Sequence, residues 1–246
     1  MNQSVSTVRS VLLTHRLLVR QLLTPGRLLA LLSLGAVVVL AAVGVAASDE
    51  VEDPARTIIE VMDGLGLVLV VPVVSLVFAS ASLGDLREDS TLVYLWLRPM
   101  DRLSVVAGAY LAALTVSLPL TTLPLAAAAL VGKATVDGVI ATVVAASFGV
   151  LAYSAAFVLL GLMIRNPIIW GLAYVLVWEG IFARFSEPVG NAAVRGYTRS
   201  LLANLSDVGL GPAAEANTST AVLVCVFVAA GSLAMAAVRL NRMEVD

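Results

Sequence analysis

Histidine, lysine and cysteine each occur once in this 246-residue chain, as His15, Lys133 and Cys225. Charge of either sign is scarce: Asp, Glu, Lys and Arg make up 13% of the residues, against roughly 25% in a soluble domain. Each shortage excludes some chemistry. A single histidine rules out HExxH metalloprotease chemistry and any multi-histidine metal site. His15 also precedes the first apolar run, so no serine–histidine pair forms within a membrane. No GxSxG occurs, and the nearest string, Ala145-Ala146-Ser147-Phe148-Gly149, lacks the first glycine. Lys133 stands in Val131-Gly132-Lys133-Ala134, with no glycine at the P-loop spacing before it and no Ser or Thr after it. The chain therefore has no Walker site for ATP, and we expect no catalytic residues, no metal and no cofactor of its own. One cysteine forms no intrachain disulfide. A net charge of −2 offers no basic excess for nucleic acid.

What the chain has in quantity is apolar side chains, 60% of the total, for a mean hydropathy of +0.98. There are too few charges to cover a water-facing surface, so lipid is the solvent for most of the chain. That excludes a soluble enzyme, a nucleic-acid-binding module and a disordered chain. Crossing about 30 Å of hydrocarbon takes roughly 20 apolar residues in a helix. Six runs qualify as candidates: Leu28–Ala47, Leu65–Leu83, Leu103–Val131, Val139–Ile164, Ile168–Phe182 and Ala221–Val238. Inside lipid only a helix satisfies the backbone of such runs. The expected class is thus an all-α integral membrane protein with six transmembrane helices. The third run carries Pro119 and Pro124, which predict a kink or a partly interfacial stretch. The fifth is short and holds Glu179. Residues 1–26 do not read as a cleavable signal peptide, since Arg9, Arg16, Arg20 and Arg27 interleave with leucines and no small-residue cleavage site follows.

Basic residues orient the spans. With the N-terminus inside, the inner segments hold Arg9, Arg16, Arg20, Arg27, Arg87, Arg98, Arg102, Arg165, Arg239 and Arg242. The outer ones hold Arg56, Lys133, Arg184, Arg195 and Arg199. This asymmetry predicts both termini inside, as six spans require. The first outer loop is acidic, with Asp49, Glu50, Glu52, Asp53, Glu60 and Asp63. Span interiors are poor in ionisable groups, whereas ion-coupled carriers mark their pathways with them. Glu179 is the one clear candidate, and it reads either as a cap at the outer end of the fifth span, reaching water or Arg184, or as part of a transport path. Gly35, Gly44, Gly149 and Gly161 permit close helix packing. The tripeptides Asn204-Leu205-Ser206 and Asn217-Thr218-Ser219 are sequons of a frequent chance type, and no function is assigned to them.

The densest signal lies in residues 84–102. A span ends at Gly84, and Asp85-Leu86-Arg87-Glu88-Asp89 follows at once with both charge signs. A short apolar patch (Leu92, Leu95, Trp96, Leu97) comes next, then Arg98-Pro99-Met100-Asp101-Arg102 leads into the next span. Such a segment predicts a short amphipathic helix under the membrane, with a charged end for a soluble partner and an apolar face for lipid or the bundle. Pro99 breaks it before the next helix. Without a wider pattern, a mixed-charge loop of this kind is more often solvated and topogenic.

The wider pattern resembles the ABC-2 family of ATP-binding-cassette transporter permeases. In that family the loop between spans two and three often reads Gly-Glu, a charged stretch, Gly-Thr-(Leu/Ile), Leu-Leu and (Arg/Lys)-Pro-x-x-Arg. Here Gly84-Asp85, Thr91-Leu92, Tyr94-Leu95, Arg98-Pro99 and Arg102 fit, and Gly108 fits a glycine commonly followed by lysine, which Ala109 replaces. Residues 9–27 are similar to the family's amphipathic connecting helix, because Arg9, Arg16 and Arg20 share a helical face. Trp178-Glu179-Gly180 and the helix-like segment 189–206 resemble the family's region between spans five and six.

The resemblance implies one transmembrane domain over 1–246, with a connecting helix in 1–26, an inner coupling loop in 84–102 and an outer helical loop in 183–220. It implies a permease subunit energised by a separate ATP-binding subunit that carries the ATP and Mg, together with a second permease chain, identical or related, in a cell membrane. The coupling loop would meet the ATPase through Asp85, Arg87, Glu88 and Asp89, with Arg98 and Arg102 holding it at the membrane surface. Arg9, Arg16 and Arg20 would contact lipid headgroups. Charge-poor spans suit export of an amphipathic or lipid-like cargo. Two alternatives stay open: a non-catalytic six-span scaffold or immunity-type protein, and an ion-coupled secondary transporter using Glu179.

Overall fold

The computed structural model describes residues 7–88, 101–177, 193–211 and 216–242. Among them the chain is helical throughout, with no strand. The elements are α1 (Thr7–Leu22), α2 (Pro25–Ala47), α3 (Pro54–Val61), a π-helical segment (Met62–Val70), α4 (Val71–Glu88), α5 (Arg102–Val131), α6 (Val136–Met163), α7 (Pro167–Ala173), α8 (Val194–Ser206) and α9 (Thr218–Arg242).

Local chemistry sets the boundaries. Pro25, Pro54 and Pro167 open their helices at a position where the missing N–H costs nothing. Asp53 caps α3 by accepting from the Arg56 amide at 3.0 Å, and Thr135 caps α6 by accepting from the Gly138 amide at 3.1 Å. Between α5 and α6 the chain reverses at Gly132 and Lys133, and Lys133 adopts the left-handed conformation (φ 63°). Its ammonium donates to the Ala46 carbonyl at 3.1 Å, satisfying one of the carbonyls left over at the end of α2. Gly132 has no room for a side chain, since a Cβ there would collide with Ile58.

Among the described residues, five helices are long and apolar enough to cross a membrane: Pro25–Ala47, Pro54–Arg87, Arg102–Val131, Val136–Met163 and Thr218–Arg242. The protein is therefore an all-helical, multi-pass membrane protein. Of the expected fifth span, Pro167–Val177 is a shorter apolar helix, and residues 178–182 lie outside the described residues. The second span differs from expectation at its start. It begins at Pro54, not Leu65, because the Asp53 cap launches a helix that absorbs much of the expected acidic loop. Pro119 and Pro124 both lie inside a single helix, α5. Pro124 seats on α2 at Gly35, where a Cβ would come within 2.9 Å of the proline ring.

Helix α6 is the centre of the bundle, packing against α4, α9, α8 and α5. Its buried face is largely small: Gly138, Ala141, Ala145, Ala146, Gly149, Ala152, Ser154, Ala155 and Gly161. Small side chains let helices approach closely where lipid provides no hydrophobic drive between them. A Cβ on Gly161 would stand 2.5 Å from the Ser80 carbonyl oxygen, and one on Gly149 would stand 2.7 Å from Val71 Cγ1. Helices α2 and α9 are peripheral and keep Leu29, Leu40, Leu223 and Phe227 exposed, as lipid-facing helices do.

The bundle has two distinct ends. Ala46, Ile58, Gly132 and Lys133 meet at one. At the other, Arg27 meets Asp85, Arg87 meets Leu162, and Arg102 meets Leu240; we call it the arginine end.

Candidate functional site

The segment singled out by sequence leaves and re-enters the bundle at the arginine end. Asp85, near the end of α4, accepts from Arg27 at 2.8 Å, and each side chain is 31% exposed. Two residues on, Arg87 donates to the Leu162 carbonyl at the end of α6, at 3.0 Å. Where the chain resumes, Arg102 donates to the carbonyls of Leu240 and Asn241 at 2.8 and 2.9 Å. A guanidinium there satisfies orphan carbonyls and complements the negative end of α9. The two flanks of the loop are thereby tied to α2, α6 and α9. Glu88 closes α4, and its side chain, Asp89, Arg98 and Glu179 lie outside the described residues.

Helix α1 lies along α5. Its buried face is Ser10, Thr14, Leu18 and Leu22, at a strict spacing of four. Arg9, Arg16 and Arg20 are exposed on the other side, among exposed Leu12, Leu13 and Leu17. The approach is close: a Cβ on Gly108 would stand 2.7 Å from that of Thr14 and 3.0 Å from the Val11 carbonyl oxygen. His15 Nε2 lies 2.9 Å from Thr115 Oγ1. That hydroxyl spends its hydrogen on the Leu111 carbonyl, so the imidazole is the donor.

A second charged cluster was not foreseen. Asp63, expected in the acidic outer loop, stands in the π-helical segment with its side chain 10% exposed. Arg199 Nε lies 3.1 Å from its Oδ2, and Arg195 Nη2 lies 4.0 Å away. Both arginines come from α8, expected as part of an outer loop; Arg195 is 8% exposed and Arg199 22%. Arg199 also donates to the Leu210 carbonyl, folding the segment after α8 back on it.

Asp63 lies nine residues into its helix, about 13 Å from its start at 1.5 Å per residue. Helix α8 reaches further in. Thr198 flanks Gly149, which is thirteen residues into α6, roughly 20 Å by the same measure. It is packed against α6 and α9 inside the bundle. Besides Glu179, then, three ionisable groups from two elements meet inside the bundle. The π geometry accompanies them, with the Val71 amide bonding to Gly66 five residues back.

Two signals in the sequence point to this cluster in hindsight. Asp53-Pro54 is a helix start, and from it Ile58, Ile59, Met62, Asp63, Gly66, Leu67 and Val70 mark one buried stripe. Arg195 and Arg199 are four apart on a helix that buries Val194, Thr198, Leu201 and Leu202.

Among the described residues, no group of three or more His, Cys, Asp or Glu side chains is placed to hold a metal ion. No protein-family model matches the chain, and no curated protein matches it in sequence.

Proposed function

We propose that this chain is the membrane-spanning subunit of an ATP-driven transporter of the ABC-2 type. In this reading it has six spans with both termini inside, in a cell membrane, and the arginine end faces the cytoplasm. A separate ATP-binding subunit, carrying ATP and Mg, docks on the loop between the second and third spans. A second permease chain, identical or related, completes the path, and the cargo is an amphipathic or lipid-like molecule moved outward.

One observation carries the proposal: the anchoring of both flanks of residues 84–102 to three other helices, through Arg27–Asp85, Arg87–Leu162 and Arg102–Leu240. A loop held this way passes a displacement to α2, α4, α5, α6 and α9 together. That is what a two-state element needs if a distant ligand is to bias it. A merely solvated loop has no use for three such ties. The α1 helix, with its arginines exposed and its small face on Gly108, supports the same reading as a membrane-surface element.

Charge reversal tests it. The double variant Arg87→Glu, Glu88→Arg is expected to lose co-purification with the ATPase subunit and to lose transport, while the chain still inserts and accumulates. Undiminished co-purification and transport would reject the assignment.

A further inference from the structure

We propose that the arginine end carries a binding site for the headgroup of an anionic phospholipid, in a cavity between α4 and the α6–α7 corner. The cavity has a volume of about 230 Å³ and is lined by Gly84, Arg87, Gly161, Ile164 and Arg165. At about 30 Å³ per water, that is room for a phosphate with part of its hydration. The inference rests on the membrane-spanning fold; it shares Arg87 with the ATPase reading, and Arg165 belongs to it alone.

The site is built before any ligand arrives. Its floor is the backbone of two glycines: a Cβ on Gly84 would lie 3.6 Å from Gly161 Cα, and Gly161 itself abuts the Ser80 carbonyl. Arg87 is half-buried and held by the Leu162 carbonyl through Nη1. A guanidinium has five N–H donors in a planar fork that matches phosphate oxygens, so one such bond orients Arg87 and leaves the rest of the fork for an anion. Arg165, exposed at the α6–α7 corner, also lines the cavity. Among the described residues no carboxylate pairs with either arginine, whereas Arg27 nearby is neutralised by Asp85. The described lining thus carries two positive charges, and basic pockets between membrane helices recognise anionic headgroups.

The surroundings distinguish a lipid from a free phosphate. Met163, Ile168, Ile169 and Trp170, on the corner beside the cavity, are 55%, 44%, 66% and 60% exposed. Acyl chains attached to a phosphate in the cavity would cover this apolar run. Trp170 sits where an interfacial tryptophan belongs, at headgroup level.

The test is native mass spectrometry of the full chain, released from membranes in mild detergent and titrated with phosphatidylglycerol or phosphatidylcholine of identical acyl chains. The wild type is expected to retain phosphatidylglycerol in preference. Arg165→Gln and Arg87→Gln should each lower that retention about fivefold, the increment of one basic group at a membrane surface. Arg165→Lys should keep most of it. Arg239→Gln, which removes an exposed arginine of α9 outside the cavity, should leave retention unchanged. Equal retention of the two lipids, or retention insensitive to Arg87 and Arg165, would overturn the proposal. So would an equal loss in Arg239→Gln, which would reduce the effect to general surface charge. Displacement of phosphatidylglycerol by inorganic phosphate at comparable concentration would assign the cavity to a soluble anion and reject the lipid. Helical circular dichroism confirms that each variant is folded.

Discussion

The two charged clusters use the same side chains under opposite conditions. At the arginine end Arg27 and Asp85 are each 31% exposed and share one contact. In the bundle Asp63 is 10% exposed and faces two arginines. A half-exposed pair competes with water, and such pairs contribute about 0–1 kcal/mol. A buried ion removed from its partners leaves an uncompensated charge, at a cost of about 3–5 kcal/mol. The difference separates an element that can move from one that cannot. The Arg27–Asp85 pair breaks and re-forms cheaply, while Arg87 and Arg102 keep the loop tied to α6 and α9. The Asp63 cluster fixes α8 within the bundle at the π-helical segment, which suits a structural pin.

The largest effect is therefore expected from Asp63→Asn. It leaves the buried Arg195 and the partly exposed Arg199 facing an uncharged amide and should reduce stability by about 3 kcal/mol, read as thermal unfolding in detergent. Adding Arg199→Gln should cost much less than the sum of the single changes, because the second removes a charge that the first had stranded. Strict additivity would show that the two residues are not coupled.

Next come two glycines at one helix crossing with opposite expectations. Gly161→Ala drives a methyl against the Ser80 carbonyl, a backbone atom that cannot swing aside, and should destabilise by about 1–3 kcal/mol. Gly84→Ala places its methyl 3.6 Å from its nearest neighbour, an ordinary contact, and should change unfolding very little. Similar effects from both would mean that α4 and α6 do not pack as described.

At the docking face of α1, Gly108→Ala would press on Thr14 and Val11. The expected result is an α1 that proteases reach more readily while the spans remain intact. Unchanged protection would place the helix off α5. The smallest effect on stability is expected from Asp85→Asn, within about 1 kcal/mol. If the proposed function holds, the same substitution should reduce transport far more than it reduces stability.

Much of the fold could be read from composition. Runs as apolar as Leu28–Ala47 and Val139–Ile164 leave the backbone no partner but itself in lipid, so their helical state follows from length alone. What escaped was polar chemistry that the bundle buries. Asp63 follows a run of acids and precedes an apolar stretch, so charge placed it in water. The Asp53 cap and the Ile58, Ile59, Met62 stripe place it on a helix instead. Helix α8 has no apolar run, and its polar content argued for an outer loop. Its burial depends on α6 presenting Gly149 to Thr198, 49 positions on, and on Asp63 accepting arginines more than a hundred positions away. At the arginine end, Asp85, Arg87 and Arg102 were legible from the charge pattern. Their partners were not, because two of the three ties end on backbone carbonyls, which no side-chain pattern records.

The most direct test of the account is mass spectrometry of what accompanies the tagged full-length chain when it is drawn from its native membrane in mild detergent. We expect a stoichiometric soluble protein bearing a P-loop, lost when Arg87 and Glu88 exchange charge. A chain that emerges alone, even after cross-linking, would contradict the claim that the arginine end is a coupling surface.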